Sequence, residues 1–304
     1  MCQVRKLQST IETINYDIGS KRIKAAIDGV KKSRTMIKQS AKSFTASCQD
    51  AGRCTTILAT MNENLDPLEN ALQKALDAFN GSDQERAALD QAYNYQGKLT
   101  KDLNALEEQM IPKDFKRPVP AIYSDLPQLE GRATVEFTLK KPDGSNFDVE
   151  GVLSKEAKLK MVIDGYNAPV TGGNFVDLVN KGFYKDMAIQ RSDGFVVQTG
   201  KPAGKAEGYV GTPSKSVGAG PNGERLIPLE IMMKGDKDPV YESTMEDEGR
   251  GGEATVLPFS SYGAMGWARD EYEENSGSSQ FFWLLFDSDL TPAGKNVLDG
   301  RYPW

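Results

Sequence analysis

The stretch IQRSDGFVVQTG, Ile189 to Gly200, sets one arginine, Arg191, inside strand-like apolar sequence that resumes after a turn with Phe195, Val196, Val197 and Gln198. A second run, GSSQFFWLL, brings Gln280, Phe281 and Phe282 further along the chain. The chain contains no histidine. That absence excludes Ser/His/Asp and Cys/His triads, His-ligated zinc and histidine proton shuttles. Chemistry must therefore come from carboxylates, Lys, Tyr, Cys or Arg, or from a reaction that moves no proton. Taken alone, an arginine in a strand is most often a surface charge or half of an ion pair, and its phenylalanine neighbours are core.

The three cysteines, Cys2, Cys48 and Cys54, crowd into the first fifth of the sequence. Their number is odd and Cys48–Cys54 is not a CxxC pair. One disulfide between helical neighbours is open to them, but buried or free thiols are the plainer expectation.

At 304 residues the chain can hold two domains of ordinary size. With 38% hydrophobic and 26% charged residues it reads as a soluble globular protein. No apolar run approaches the roughly 18 residues that a membrane span requires. A formal charge of −6 argues mildly against nucleic acid as a partner. Met1-Cys2 runs almost directly into helical sequence, with nothing resembling a signal or transit peptide.

The elements that must position Arg191 divide the chain. Over 1–110 the apolar residues recur at helical steps, as in Val4, Leu7, Ile11 and Ile14. Breaks at Gly19-Ser20, AGRC and Gly81 separate four helices. Pro67 is expected to kink the third or restart it. Ser82 to Glu85, SDQE, fits a capping box that opens the fourth. Short loops between such helices imply an antiparallel bundle. Residues 111–131 carry Pro112, Pro118, Pro120 and Pro127, which stop a helix and stiffen a connection. From Arg132 the period changes to two: ATVEFTL and LKMVID alternate like half-buried strands, and FFWLLF reads as a fully buried one. One convincing helix, TGGNFVDLVNKGFY, interrupts them, so 132–304 is expected to be a barrel or sandwich.

Charge is unevenly placed. Lys21–Lys42 holds eight basic residues and one acid, whereas Asp236–Glu274 holds eleven acids against Lys237, Arg250 and Arg269. Such runs are usually solvated faces. The opposite signs also permit an intramolecular contact in which the bundle docks on the acidic 236–274 insertion.

Pro169, Thr171, Asn174-Phe175, Leu178, Arg191, Gly194-Phe195, Gln198, Gly200 and Ser279-Gln280-Phe281-Phe282 stand in the order of a known pattern. By these motifs the chain resembles the cyclophilins, the barrel-type peptidyl-prolyl isomerases. With a helical front half and a proline-rich connection, it is similar to the multidomain cyclophilins of the thylakoid lumen of plants and algae. The resemblance implies a multidomain α + β architecture: an N-terminal antiparallel helical bundle, then a cyclophilin-like antiparallel β-barrel. It implies a folding factor linked to photosystem II assembly or maintenance, whose partners are proline-containing segments, including lumenal loops of photosystem II subunits. It calls for no cofactor and no metal.

The same resemblance implies site residues. Arg191 is the catalytic guanidinium, with Phe195 and Gln198 beside it. Gln280, Phe281, Phe282, Leu290, Asn296 and Trp267 are placed around the substrate, with Trp267 crowding the groove rim. The chemistry suits a histidine-free chain. Rotation about X–Pro faces a barrier of roughly 18–20 kcal/mol from amide resonance. A donor fork near the proline nitrogen and an apolar slot can ease that rotation without a proton carrier. Arginine stays charged beside apolar surface and offers five donors in one plane.

Departures from the pattern are as definite as the matches. Gln190 stands where histidine usually precedes the arginine, Val196 replaces methionine, and Leu290 and Asn296 fall where tryptophan and histidine are usual. A groove altered in this way suits a weak or inactive scaffold that binds client loops as well as it suits an enzyme. The family continues through another strand, a helix and a closing strand beyond NVLDGRYPW. The barrel is therefore expected to be truncated, or alternatively an open one completed by another chain.

Overall fold

The computed structural model describes residues 2–149, 151–259, 262–285 and 298–303. The chain divides into two compact units, Met1–Phe115 and Lys116–Trp304.

The first unit is four helices: α1 (Cys2–Gly19), α2 (Ile23–Ala46), α3 (Ala51–Asp77) and α4 (Asp83–Gln109). Each buries one apolar stripe at helical spacing, such as Leu7, Ile11, Ile14 and Ile18 of α1 and Leu58, Met61, Leu65, Leu68 and Leu72 of α3. Successive helices pack on one another and α1 closes against α4, as short connections require. The capping box forms in a shifted version. Ser82 Oγ accepts from the Glu85 amide at 3.1 Å, while Glu85 Oε2 accepts from the Gly81 amide at 2.7 Å and from Lys21 Nζ at 2.9 Å.

Two expectations change here. Pro67 lies inside a continuous α3 and does not restart it. A proline costs a helix about 3 kcal/mol. Leu65 and Leu68 on either side of it are fully buried, and each such burial returns about 1.5–3 kcal/mol. The cysteines are also not free thiols: Cys48 and Cys54 form a disulfide. Cys48 falls two residues past α2 and Cys54 in the first turn of α3, so the chain reversal brings their Cα atoms to 6.5 Å, within bridging distance.

In the second unit the proline-rich stretch does not stand free. Tyr123 and Leu126 enter the core, and the Leu129 amide donates to the Pro169 carbonyl at 2.9 Å. Strand β1 (Arg132–Lys140) pairs antiparallel with β4 (Glu156–Asp164), in register from Arg132↔Asp164 to Lys140↔Glu156. Between them, β2 (Phe147–Val149) and β3 (Val152–Ser154) make a small hairpin. Helix α5 (Pro169–Asn180) starts on a proline that needs no amide partner. Its next two amides, of Val170 and Thr171, donate to Glu230 at 3.2 and 2.8 Å. Glu230 lies on β7 (Glu230–Ile231), which pairs with β8 (Val240–Tyr241), and also accepts from Tyr241 Oη at 2.8 Å. Burial pushes the Glu230 carboxyl up, against the pull of these donors.

The sheet that carries Arg191 and Phe282 has four antiparallel strands in the order β5 (Ile189–Ser192), β6 (Val196–Thr199), β10 (Phe281–Leu284) and β9 (Met265–Trp267). Among the described residues the strands make four separate antiparallel sheets and do not close into a ring. The architecture is thus a multidomain α + β one, a helical bundle followed by an antiparallel β unit. Its aromatic core gathers Phe137, Phe175, Tyr184, Trp267, Phe281 and Trp283, with Phe175 and Phe281 edge-to-face at 5.1 Å.

Candidate active site

Side chains alternate between the faces of a strand, and partners directly opposite in an antiparallel pair share a face. Register therefore decides what Arg191 can meet. Arg191 lies opposite Gln198, Gln198 opposite Phe282, and Phe282 opposite Gly266. One row across the four strands thus reads Arg191, Gln198, Phe282, Gly266, all on one face. Adjacent strands lie about 4.8 Å apart, so the row places the backbones of Arg191 and Phe282 roughly 10 Å apart across the sheet. The opposite face carries Phe281, Trp283, Trp267 and Met265 into the core.

Phe282 is buried in its own apolar cluster with Val196, Phe259, Ala264 and Leu284. Its ring stacks on Phe259 at 5.7 Å and meets Tyr302 edge-to-face at 6.0 Å. Gly266 makes the stack possible. A Cβ at that position would fall 2.5 Å from the Phe282 ring and 2.6 Å from that of Phe259.

Arg191 is not enclosed by that cluster. Its side chain is 54% exposed, and its guanidinium grips Asp193, with Nε and one Nη at 2.6 and 2.5 Å from Oδ2. The other oxygen of Asp193 accepts from the Phe195 and Val196 amides, each at 3.0 Å. Gly194 turns the chain at φ +82°, a conformation that glycine takes without steric penalty. The amides of Val196 and Phe195, aided by the guanidinium, hold the Asp193 carboxyl down at about 2. The turn thus fixes the fork to its own hairpin. The expected guanidinium beside a dry hollow is instead a half-exposed one, clasped by a carboxylate, at the open end of the row. Phe195 projects from the same turn at 39% exposure.

The glutamines form a network of their own. Gln198 Nε2 donates to Gln280 Oε1 at 2.9 Å, and Gln280 Nε2 donates to the Glu207 carbonyl at 2.6 Å. Both line a groove of about 830 Å³ beside the row. In the position where histidine is usual, Gln190 donates to the Lys201 carbonyl at 3.0 Å.

The structure brings Arg191, Gln198, Gln280 and Phe282 to one face, with Phe195 at its edge. It does not bring Trp267 or Phe281 there. Trp267 is 1% exposed and Phe281 fully buried, packed 6.5 Å apart and stacked. The expectation of Trp267 crowding the groove, and of Phe281 touching substrate, is corrected accordingly. Strand parity turns both inward, and their area is worth more in the core than at a wet rim. Leu290 and Asn296 lie outside the described residues. Sequence reasoning missed Asp193, although the Asp-Gly pair is a recognised turn signal. It also missed the groove beyond the glutamines, which is assembled from loops far apart in sequence.

An antiparallel unit with a helix packed in its core, and an arginine, glutamine and phenylalanine row on one sheet face, fits the cyclophilin class. Residues 149–303 match the family described as cyclophilin type peptidyl-prolyl cis-trans isomerase/CLD. The chain belongs to this family. It is 40% identical over 309 residues to the chloroplastic peptidyl-prolyl cis-trans isomerase CYP38 of Arabidopsis thaliana, covering 98% of this chain and 63% of that protein. A Synechocystis sp. protein named for a thylakoid lumen peptidyl-prolyl cis-trans isomerase is 36% identical over 303 residues, covering 99% of this chain and 71% of its own length. The chloroplastic isomerase CYP37 of Arabidopsis thaliana is 39% identical over 172 residues, covering 56% of this chain and 33% of its own. The chain thus spans about two thirds of the length of the first two relatives.

Proposed function

We propose that this protein is a peptidyl-prolyl cis-trans isomerase of the thylakoid lumen that binds proline-containing segments across the Arg191–Gln198–Phe282 row. The observation that carries the reading is the register that sets a guanidinium, an amide and a buried aromatic ring on one face of one sheet. Arg191 would stabilise the twisted amide by presenting donors to the proline nitrogen, and Phe282 would supply the apolar contact. Asp193 would hold the fork in place without neutralising its outward donors, since a guanidinium has five. The family match and the lumenal name of the Synechocystis sp. relative support both activity and location. The resemblance to multidomain lumenal cyclophilins extends the proposal to photosystem II assembly or maintenance, with lumenal loops of its subunits as clients.

A second reading, a scaffold that binds client loops without turning them over, is favoured by the clasp on Arg191 and the self-satisfied glutamine pair. NMR exchange spectroscopy on a short X-Pro peptide separates the two. For the enzyme, cis–trans exchange rises with added protein, and Arg191→Ala lowers the rate on the order of 10²-fold, as for loss of one electrostatic donor. Peptide binding with no exchange above background establishes the scaffold instead.

A further inference from the structure

The 830 Å³ groove adjoins the candidate site through Gln198 and Gln280, and its composition is lopsided. Apolar ground comes from Val217, Pro221 and Leu226, while carboxylates come from Glu207, Glu224, Asp270 and Glu273. The guanidinium among the described lining residues, Arg269, keeps its charge but turns donors to backbone, and one cation against these carboxylates leaves the lining net negative. Its Nε donates to the Arg301 carbonyl at 2.7 Å and its Nη1 to those of Asp270 and Glu271 at 2.7 and 3.2 Å. Its plane also lies over the Tyr302 ring at 5.0 Å.

The carboxylates differ in what they have left to offer. Glu224 is buried and takes the Glu207 and Asn222 amides at 3.0 and 2.8 Å, with Asn222 Nδ2 at 3.0 Å. These donors outweigh desolvation and hold its carboxyl at about 2, so the wall carries a fixed negative charge. Glu207 pairs with Lys201 at 2.6 Å. Asp270 and Glu273 are exposed at the rim and have no cationic partner among the described residues.

We propose that this groove selects proline segments carrying a lysine or arginine close to the proline. The inference rests on the reading of the row as the proline-binding site. A long aliphatic stem suits the apolar ground while its charged head reaches the carboxylates at the rim. An extended peptide advances about 3.3–3.6 Å per residue, so the groove is within reach of a side chain two or three residues from the proline. A glutamate there meets like charge and is disfavoured.

The test uses the full chain and blocked peptides with one central proline, in which Lys, Ala or Glu occupies in turn each of three positions on either side. NMR titration gives Kd, and exchange spectroscopy gives the isomerisation rate. At one position Lys binds about 2–5-fold more tightly than Ala, the size expected of exposed ion pairs, and Glu binds more weakly. The preference shrinks in 1 M salt, where charges are screened within about 3 Å. In the double variant Asp270→Asn, Glu273→Gln the Lys preference disappears while exchange of the Ala peptide stays at the parent rate. Equal Kd values for Lys, Ala and Glu at every position overturn the inference even where exchange is catalysed. So does a Lys preference that survives the double variant. Exchange at background with the Lys preference intact fails the isomerase reading alone.

Discussion

At the scale of single residues, Asp193 decides how Arg191 behaves. A carboxylate that accepts two amides and a guanidinium is stabilised as the anion, so its pKa falls from the ordinary 3.9 to about 2. Because the folded value lies below the unfolded one, this interaction supports the hairpin at every pH above about 4 and is lost as pH falls through about 2. The Asp193 carboxyl carbon, followed by NMR against pH, should titrate near 2, with the Phe195 and Val196 amide shifts moving in the same step. A midpoint at or above 4 rules the clasp out. Glu230 shows the opposite balance, since burial raises its carboxyl while two helix amides and a tyrosine hydroxyl hold it in place.

At the scale of elements, β9 and β10 hold the aromatic part of the candidate site because one glycine leaves room for two rings. Gly266, opposite Phe282, admits the Phe259–Phe282 stack. Gly266→Ala must displace a ring. Overpacking of that kind costs about 1–3 kcal/mol. In a unit of this size that corresponds to a fall of roughly 2–12 °C in Tm. Calorimetry on the full chain checks the fall, and weaker binding of a proline peptide should accompany it if the displaced ring belongs to the site as proposed. An unchanged Tm would mean that the stack is not formed. The same strand shows why motif reading stopped short. Phe281 and Phe282 are adjacent in one run, yet one is core and the other belongs to the site face, because side chains alternate.

At the scale of the molecule, the two units have separate hydrophobic cores. The helical unit buries stripes from all four helices and adds the Cys48–Cys54 bridge across the α2–α3 corner. Residues 1–115 expressed alone should therefore give a helical circular dichroism spectrum and a cooperative melt. Reduction should lower the melting temperature, since a bridge closing so short a loop stabilises by about 2 kcal/mol. A soluble fragment without a cooperative transition would show that its core is not self-sufficient. No helix among the described residues is long and apolar enough to cross a membrane.

The linear order of residues determined a good deal by itself. Helical spacing, the Ser82–Glu85 cap and the change to period two at Arg132 follow from local geometry, which neighbours in sequence control. The family was legible because its motifs lie in chain order, and the absence of histidine already excluded histidine-based triads, zinc sites and proton shuttles. Only the tertiary structure decided that Trp267 turns inward, that Arg191 is held by Asp193, that Cys48 meets Cys54, and that Glu207, Glu224, Asp270 and Glu273 surround one groove. Each of these depends on strand register or on the path of a loop. Register is set by the burial of whole faces, a sum over many distant residues that no short stretch of sequence contains.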